Sequence, residues 1–294
     1  MSVSRFSTLI LREWLQHKRG WLITLLLPPA LFLALLPFGE MQGAPDSPLV
    51  VGLIPLLVTP VVLFAISWVS AMFQLPGLAR RDVQDRSIEF WLSLPAGHAE
   101  SIGATLLTHV LLVPLAALLS GYLLGILMSF AVVLKAAGPA GWAEVPWLQV
   151  LGLSLPLLLR GVAGVLLMTL WLAPLMLVFM AASAWLKRWG VPAVLLTIGV
   201  GGGLLTKLYG NPIVWTLLSD LRMGALRALL NAPHDLARSI EEMGSGGTPF
   251  EAARWALQDL GAALQQTASP NFVGGLLLAA AGFALLVLRR RRAA

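Results

Sequence analysis

The sequence predicts an all-α protein that crosses a lipid bilayer about six times. Hydrophobic residues make up 58% of the 294 residues and charged residues only 12%, whereas charged residues are about 25% of a typical soluble domain. The apolar residues come in long blocks separated by short charged or Pro/Gly-rich stretches, which is the pattern of bilayer-spanning helices. A soluble core could not enclose this much apolar surface, so we expect a polytopic membrane protein.

Six apolar segments are predicted as spans, and they are unequal in length. We place them at about residues 21–38, 49–73, 102–134, 161–186, 191–206 and 272–288. Pro28 and Pro29 predict a kink in the first span. The third span would be roughly 50 Å long as a straight helix, against about 30 Å of hydrocarbon, so it must tilt, bend near Pro114 or project from the membrane. The fifth is short and glycine-rich, which suggests a tilted or re-entrant helix.

The distribution of Lys and Arg predicts that both chain ends are cytoplasmic. Of the 20 basic residues, 13 lie beside the predicted inner face, and the four inner ends carry 4, 3, 2 and 4 of them. The two short outer loops carry 0 and 1, as the positive-inside rule requires. This bias explains the formal charge of +6 without nucleic acid. No small-residue cleavage site follows the first apolar run, so we interpret it as a retained span.

Residues 2–19 are predicted to form an amphipathic helix on the inner leaflet. Its apolar positions follow helical spacing: Val3, Phe6, Ile10, Trp14 and His17. The alternative is a disordered basic start to the chain.

Arg160 interrupts a 40-residue apolar run over residues 147–186. An Arg at mid-bilayer costs about 2.5–3.5 kcal/mol even on the lenient insertion scale, so we expect Arg160 at the outer boundary. Residues 147–159 would then form an outer-interface helix or a re-entrant segment, broken near Pro156. The alternative is that Arg160 is an intramembrane substrate ligand.

The long outer segment, residues 207–269, is predicted to be helical. Thr248, Pro249 and Glu251 form a capping box with proline at the first helical position. Five residues then define one apolar face: Phe250, Ala253, Leu257, Leu260 and Leu264. A second helix is expected over residues 213–230. We expect these helices to cap the spans from outside, with a gate as the alternative.

Enzymatic and metal-site motifs are missing from the sequence. It has no cysteine, no GxxxxGK[ST], HExxH or GxSxG motif, and no pair of acids within the spans. We therefore predict no enzyme activity, no metal and no cofactor in this chain. His109 lies inside the third span, where it either hydrogen-bonds a neighbouring helix or, with Arg160, belongs to a substrate path.

Two small-residue spacings predict close helix approach within the chain rather than a dimer interface. The glycine pairs are Gly121 with Gly125 and Gly199 with Gly203.

The inner loop over residues 75–100 is the most informative stretch. Ordinary inner loops are short and basic, whereas this one mixes both charges and then continues with apolar and aromatic residues up to Pro95. A short helix with a polar and an aromatic face suits docking in a groove of a partner protein. The alternative is an interfacial helix anchored by Trp91.

The run Asp85-Arg86-Ser87-Ile88-Glu89-Phe90-Trp91, followed by Ser93-Leu94-Pro95, resembles the first cytoplasmic loop of ABC-2 type ABC transporter permeases. The resemblance extends over most of the chain: an amphipathic amino-terminal helix, six spans, a helical outer segment before the last span and a terminal arginine cluster. It implies that residues 1–294 form a single permease domain in the bacterial cytoplasmic (inner) membrane. It also implies a homodimer that works with two copies of a separate ATP-binding subunit, which holds ATP and Mg, to export a substrate.

The resemblance further implies which residues contact that subunit. The coupling-helix contact would be made by Arg80, Arg81, Asp82, Asp85, Arg86, Glu89, Phe90 and Trp91. Secondary contacts would come from Arg5, Arg12 and Glu13. A different class of function remains open: a non-transporting membrane scaffold or sensor that docks a cytosolic partner through the 75–100 loop.

Overall fold

The computed structural model describes residues 3–41, 45, 47–81, 97–232 and 248–292. This part of the chain is helical and contains no strand. The helices are α1 Val3–Leu35, α2 Pro48–Leu78, α3 His98–Leu106, α4 Val113–Glu144, α5 Trp147–Leu186, α6 Gly190–Leu196, α7 Gly202–Tyr209, α8 Ile213–Leu229, α9 Pro249–Gln265 and α10 Pro270–Arg291. Two π-helical segments, Leu107–Leu112 and Thr197–Gly201, join α3 to α4 and α6 to α7.

Within the described residues, five helical stretches are long and apolar enough to cross a membrane. They are Arg5–Phe38, Pro48–Leu78, His98–Glu144, Trp147–Tyr209 and Pro270–Arg291. The prediction of an all-helical protein with membrane-spanning character is therefore confirmed at this level of detail.

Helix α1 joins two helices that the sequence predicts as separate. It runs unbroken through Gly20 and through Pro28-Pro29, so the predicted amphipathic helix and the first span are one element. Its buried residues also differ from the predicted apolar face: Leu9, Glu13 and Trp21 are buried, whereas Trp14 is exposed. Because these three buried positions recur at multiples of four, they lie on one side of the helix.

The third predicted span is irregular just before Pro114. Proline has no N–H to donate to the carbonyl four residues earlier, and its ring clashes with that carbonyl. The π segment Leu107–Leu112 accommodates this, and Val113 N–H donates to Thr108 O, five residues back. The α4 range then extends to Glu144 but is kinked at Gly138, where the backbone is not helical (φ 70°, ψ −176°), so two helical segments meeting at a kink occupy the position of the predicted outer loop after residue 134.

Helix α5 is a single helix of 40 residues, which corrects the predicted break near Pro156. A proline in the middle of a helix removes one hydrogen bond but does not always end the helix. The helix ends at Lys187, where φ is 54°, and the chain then folds back. A Cβ atom at Gly190 would lie 2.4 Å from Ser183 Cα, so only glycine permits this close return.

The centre of the molecule is formed by α2, α4, α5 and α10, and α2 packs most closely on α4. A Cβ at Gly121 would lie 2.6 Å from Pro60 Cα, and one at Gly125 would lie 3.2 Å from Leu56 Cα. The prediction of internal packing is confirmed for this glycine pair. It is wrong for the second pair within the described residues, since a Cβ on Gly199 or Gly203 would meet nothing within 4 Å.

Helices α8 and α9 pack against α5, and their predicted existence is confirmed. The capping box at α9 is present: Thr248 Oγ1 accepts from Glu251 N at 3.4 Å, and Thr248 N donates to Glu251 Oε2 at 2.8 Å. The predicted packing face of α9 is wrong, however. The buried side consists of Ala252, Ala256, Asp259 and Ala263, whereas Phe250 and Leu257 are 75% and 70% exposed.

The contact between α2 and α4 gives a stability prediction. Replacing Gly121 with Ala should destabilise the protein by about 1–3 kcal/mol, because the new methyl group meets backbone rather than a flexible side chain. Gly203→Ala is the matched control, and its helix-propensity gain is at most about 1 kcal/mol. Thermal unfolding in detergent would measure both variants. Equal melting temperatures for the two would contradict the packing described here.

Candidate functional site

The carboxylate of Glu13 is fully buried and is surrounded by hydrogen-bond donors. Arg81 binds it with two N–H groups, Nη1 to Oε2 at 3.0 Å and Nη2 to Oε1 at 2.8 Å. Arg12 contacts Oε1, Thr105 Oγ1 donates to Oε1 at 3.0 Å, and His109 Nε2 lies 3.3 Å from Oε2. We call these five residues the Glu13 cluster.

The Glu13 cluster joins elements that are far apart in the chain. Glu13 and Arg12 lie on α1, Arg81 follows α2, Thr105 lies on α3 and His109 lies in the π segment. A buried carboxylate without counter-charges would be very costly, so its partners must stay in place for the fold to hold. Arg81 directly precedes residues 82–96, so the cluster lies at the base of the predicted coupling loop.

Aromatic rings and a small cavity with several polar lining residues adjoin the cluster. The His109 ring lies 4.7 Å from that of His17 and 5.3 Å from that of Trp21, both edge to face. A cavity of about 10 Å³ next to His109 is lined partly by Ser67, Ser70 and Gln74. This is about the space that one water molecule requires, and α2 thus presents a row of polar side chains beside the cluster.

Glu13, His17 and His109 could be considered as ligands for a metal ion, since their candidate ligand atoms lie within 4.8 Å of one another. The surrounding charges disfavour this. Two guanidinium groups already bind the same carboxylate and would repel a cation. In addition, His17 Nδ1 lies 3.1 Å from Glu13 O, so this nitrogen donates a hydrogen bond and has no lone pair for a metal.

The structure describes five of the residues predicted to contact a partner. Arg12, Glu13 and Arg81 belong to the Glu13 cluster, Arg80 is half-buried beside it and Arg5 is exposed. The Glu13 carboxylate is already bound by other residues of this chain. The other six lie outside the described residues: Asp82, Asp85, Arg86, Glu89, Phe90 and Trp91.

Arg160 forms a second buried ionic site. Its Nε donates to Asp259 Oδ2 at 2.8 Å and its Nη1 to Ala228 O at 2.9 Å. Asp259 Oδ1 also accepts from Ala232 N at 3.0 Å, and Oδ2 accepts from Asn231 N at 3.2 Å. The position of Arg160 at a membrane boundary stays a prediction; protein encloses its guanidinium, and only 3% of the residue is exposed.

The two candidate substrate-path residues, His109 and Arg160, therefore both bind acids of this chain. His109 contacts a neighbouring helix, as one of its two predicted roles requires. The role of Asp259 was not predicted from the sequence. The only signal was that a buried Arg needs an acid, and nothing in the sequence identifies an acid 99 residues away as that partner.

A comparison of the chain with known protein families, with curated proteins and with solved structures found no match.

Removing the charge of Glu13 should destabilise the fold. Glu13→Gln removes the carboxylate charge that pairs with Arg12 and Arg81, and breaking a buried ion pair in this way costs about 3 kcal/mol or more. Glu144→Gln, an exposed acid, is the matched control. Unfolding in detergent should show a clear loss for the first variant and none for the second. If both melt like the unmodified protein, the cluster does not stabilise the fold.

The Arg160 site predicts coupled effects in a double-mutant cycle. Asp259→Leu alone should cost about 3–5 kcal/mol because it leaves a buried guanidinium unpaired. Adding Arg160→Met removes that charge, so the double variant should be more stable than Asp259→Leu. Chemical unfolding of both single variants and the double variant measures the coupling. Additive losses would contradict a direct ion pair.

Proposed function

We propose that the chain is the transmembrane permease subunit of an ABC transporter, that it dimerises, and that a separate ATP-binding subunit drives export across the bacterial inner membrane. The loop sequence from Asp85 to Pro95 supports this through its resemblance to ABC-2 permeases. The observation that carries the proposal is the Glu13 cluster, because it links the base of that loop to α1 and to the π segment of a membrane-spanning stretch.

The cluster offers a route by which force on the loop reaches the spans. Arg81 is adjacent in sequence to residue 82, and its guanidinium holds Glu13 with two hydrogen bonds. Glu13 in turn contacts His109 in the π segment. Displacement of the loop by a closing ATPase pair would therefore move α1 and the 107–112 segment together. Such shifts of packed helices are a usual form of switching between two states.

The π segment is suited to take part in this change. Single turns of π helix are energetically unfavourable and frequently occur at functional sites. The segment Leu107–Leu112 contains His109, and the small polar cavity lies beside it. A return of this turn to α-helical geometry would rotate α3 relative to α4. Such a rotation would transmit motion from the cytoplasmic end into the bundle.

The six-span topology also belongs to this proposal. The stretch Trp147–Tyr209 is interrupted at Lys187, where φ is 54° and Gly190 returns against Ser183, so we count it as two spans. Arg290 Nη1 donates to Ser101 Oγ at 3.1 Å, and Arg289 Nε to Ala184 O at 3.3 Å. The carboxyl-terminal arginines, the Lys187 turn and the start of α3 thus share one end of the bundle. The positive-inside rule assigns that end to the cytoplasm.

The decisive test uses the loop residues themselves. We expect the double charge reversal Asp85→Arg with Arg86→Glu to abolish ATP hydrolysis stimulated by the permease, because it places like charges opposite each other at two of the predicted contacts. Reversal of two exposed charges elsewhere, Glu144→Arg with Lys207→Glu, is the control. Hydrolysis would be measured with the co-purified ATP-binding subunit, and unfolding in detergent would confirm that both variants fold. Unchanged hydrolysis in the first variant would refute the proposal.

Co-purification separates the transporter from the scaffold or sensor. Both would use the mixed-charge loop to bind a cytosolic protein. A stoichiometric P-loop ATPase eluting with the chain supports the permease. A different stoichiometric partner, with no ATPase present, favours the scaffold.

A further inference from the structure

A long apolar groove lies between α1 and α2, away from both ionic sites. It has a volume of about 600 Å³, within the range of pockets that bind small ligands. Its floor is buried and consists of Thr59, Leu63, Met128 and Val132. Its rims are exposed and include Leu35, Ile54, Val58 and Val62. The groove is thus a concave channel with an open side, and not a flat apolar face.

The surroundings of the groove determine what can occupy it. Both α1 and α2 belong to stretches with the length and composition of membrane spans, so the open side faces the hydrocarbon of the bilayer. Pro28 and Pro29 line one wall and Pro55 the other. An extended hydrocarbon chain entering from the bilayer fits such a channel without the polar partners that a peptide backbone would require.

Polar groups occur at one end of the groove. Lys135 Nζ donates to Pro37 O at 3.0 Å, and Pro37 lies between the lining residues Leu36 and Gly39. An ammonium group has three N–H donors, so two remain for a ligand. Glu40 lines the same end. The positive-inside assignment makes this the outer end, at the depth of lipid head groups.

We propose that this groove is a binding site for one phospholipid of the outer leaflet, with an acyl chain in the channel between α1 and α2 and the phosphate on Lys135. A phosphate is an anionic acceptor for the two remaining ammonium donors. A bulkier side chain at position 58 should keep the acyl chain off the groove floor, because Val58 lies on the rim. This inference goes beyond the proposed function and rests on it only for the orientation that makes the Lys135 end the outer one; the protein alone should bind the lipid.

The chain offers matched variants for a test. Val58→Trp places an indole in the groove. Val69→Trp is the control, because Val69 lies three turns along the same helix, is 47% exposed against 51% for Val58, and does not line the groove. For the head group, Lys135→Gln is compared with Lys207→Gln, an exposed lysine elsewhere.

The experiment uses phosphatidylethanolamine that carries a photoreactive diazirine in its acyl chain, mixed with the purified protein in detergent. Mass spectrometry of the irradiated protein should locate adducts at the groove, and an excess of unlabelled phosphatidylethanolamine should suppress them. We expect Val58→Trp and Lys135→Gln each to lower groove adducts several-fold and their controls to leave them unchanged. Adducts spread evenly over the exposed apolar helices, or equal labelling in Val58→Trp and Val69→Trp, would overturn the proposal.

A second copy of this chain is the competing occupant, and the absence of cysteine makes it easy to detect. A Val58→Cys variant would carry the only thiol in the protein. Little disulfide-linked dimer should form on oxidation in liposomes if lipid fills the groove. Efficient dimer formation through position 58, with few lipid adducts, would instead make the groove an interface between copies.

Discussion

The carboxylate of Glu13 sits in an apolar helical bundle with no access to solvent, and two guanidinium groups, a hydroxyl and an imidazole surround it. A buried charge is tolerated only when its partners are held in fixed positions. Here the partners come from α1, from the end of α2, from α3 and from the π segment. The requirement to satisfy one carboxylate thus fixes how four elements meet at the end of the bundle that also holds the carboxyl-terminal arginines.

The same constraint operates at the Arg160 site with the charges exchanged. Here a guanidinium on α5 is the enclosed group, and Asp259 on α9 with the carbonyl of Ala228 satisfies it. This pair attaches helices outside the central bundle to its longest helix, and Asp259 also accepts the backbone N–H groups of Asn231 and Ala232 after α8. The site around the Glu13 carboxylate therefore holds the amino-terminal helix in place, and the site around the Arg160 guanidinium holds helices α8 and α9.

Composition and periodicity were sufficient to predict the helical membrane class, the helices α8 and α9, the α9 capping box and the close contact at Gly121. These features depend on local sequence or on the bilayer as solvent. The faces that helices bury were harder to predict. On α9 the rule that large apolar residues face inward failed because alanines and Asp259 allow close approach to α5. On α1 the same rule assigned Glu13 to the surface, since its partners lie 68 to 96 residues away.

The exposed apolar residues of the candidate spans and the groove between α1 and α2 have a common physical origin. In a bilayer, outward apolar side chains lose nothing by facing lipid, so burial no longer distinguishes the face that packs from the face that does not. Helices instead meet through small residues, as at Gly121 and Ala256, and through paired charges. Large side chains such as Leu123 and Leu277 then remain outside. Where two helices cannot approach closely, as along the prolines of α1 and α2, a lipid chain can fill the space between them.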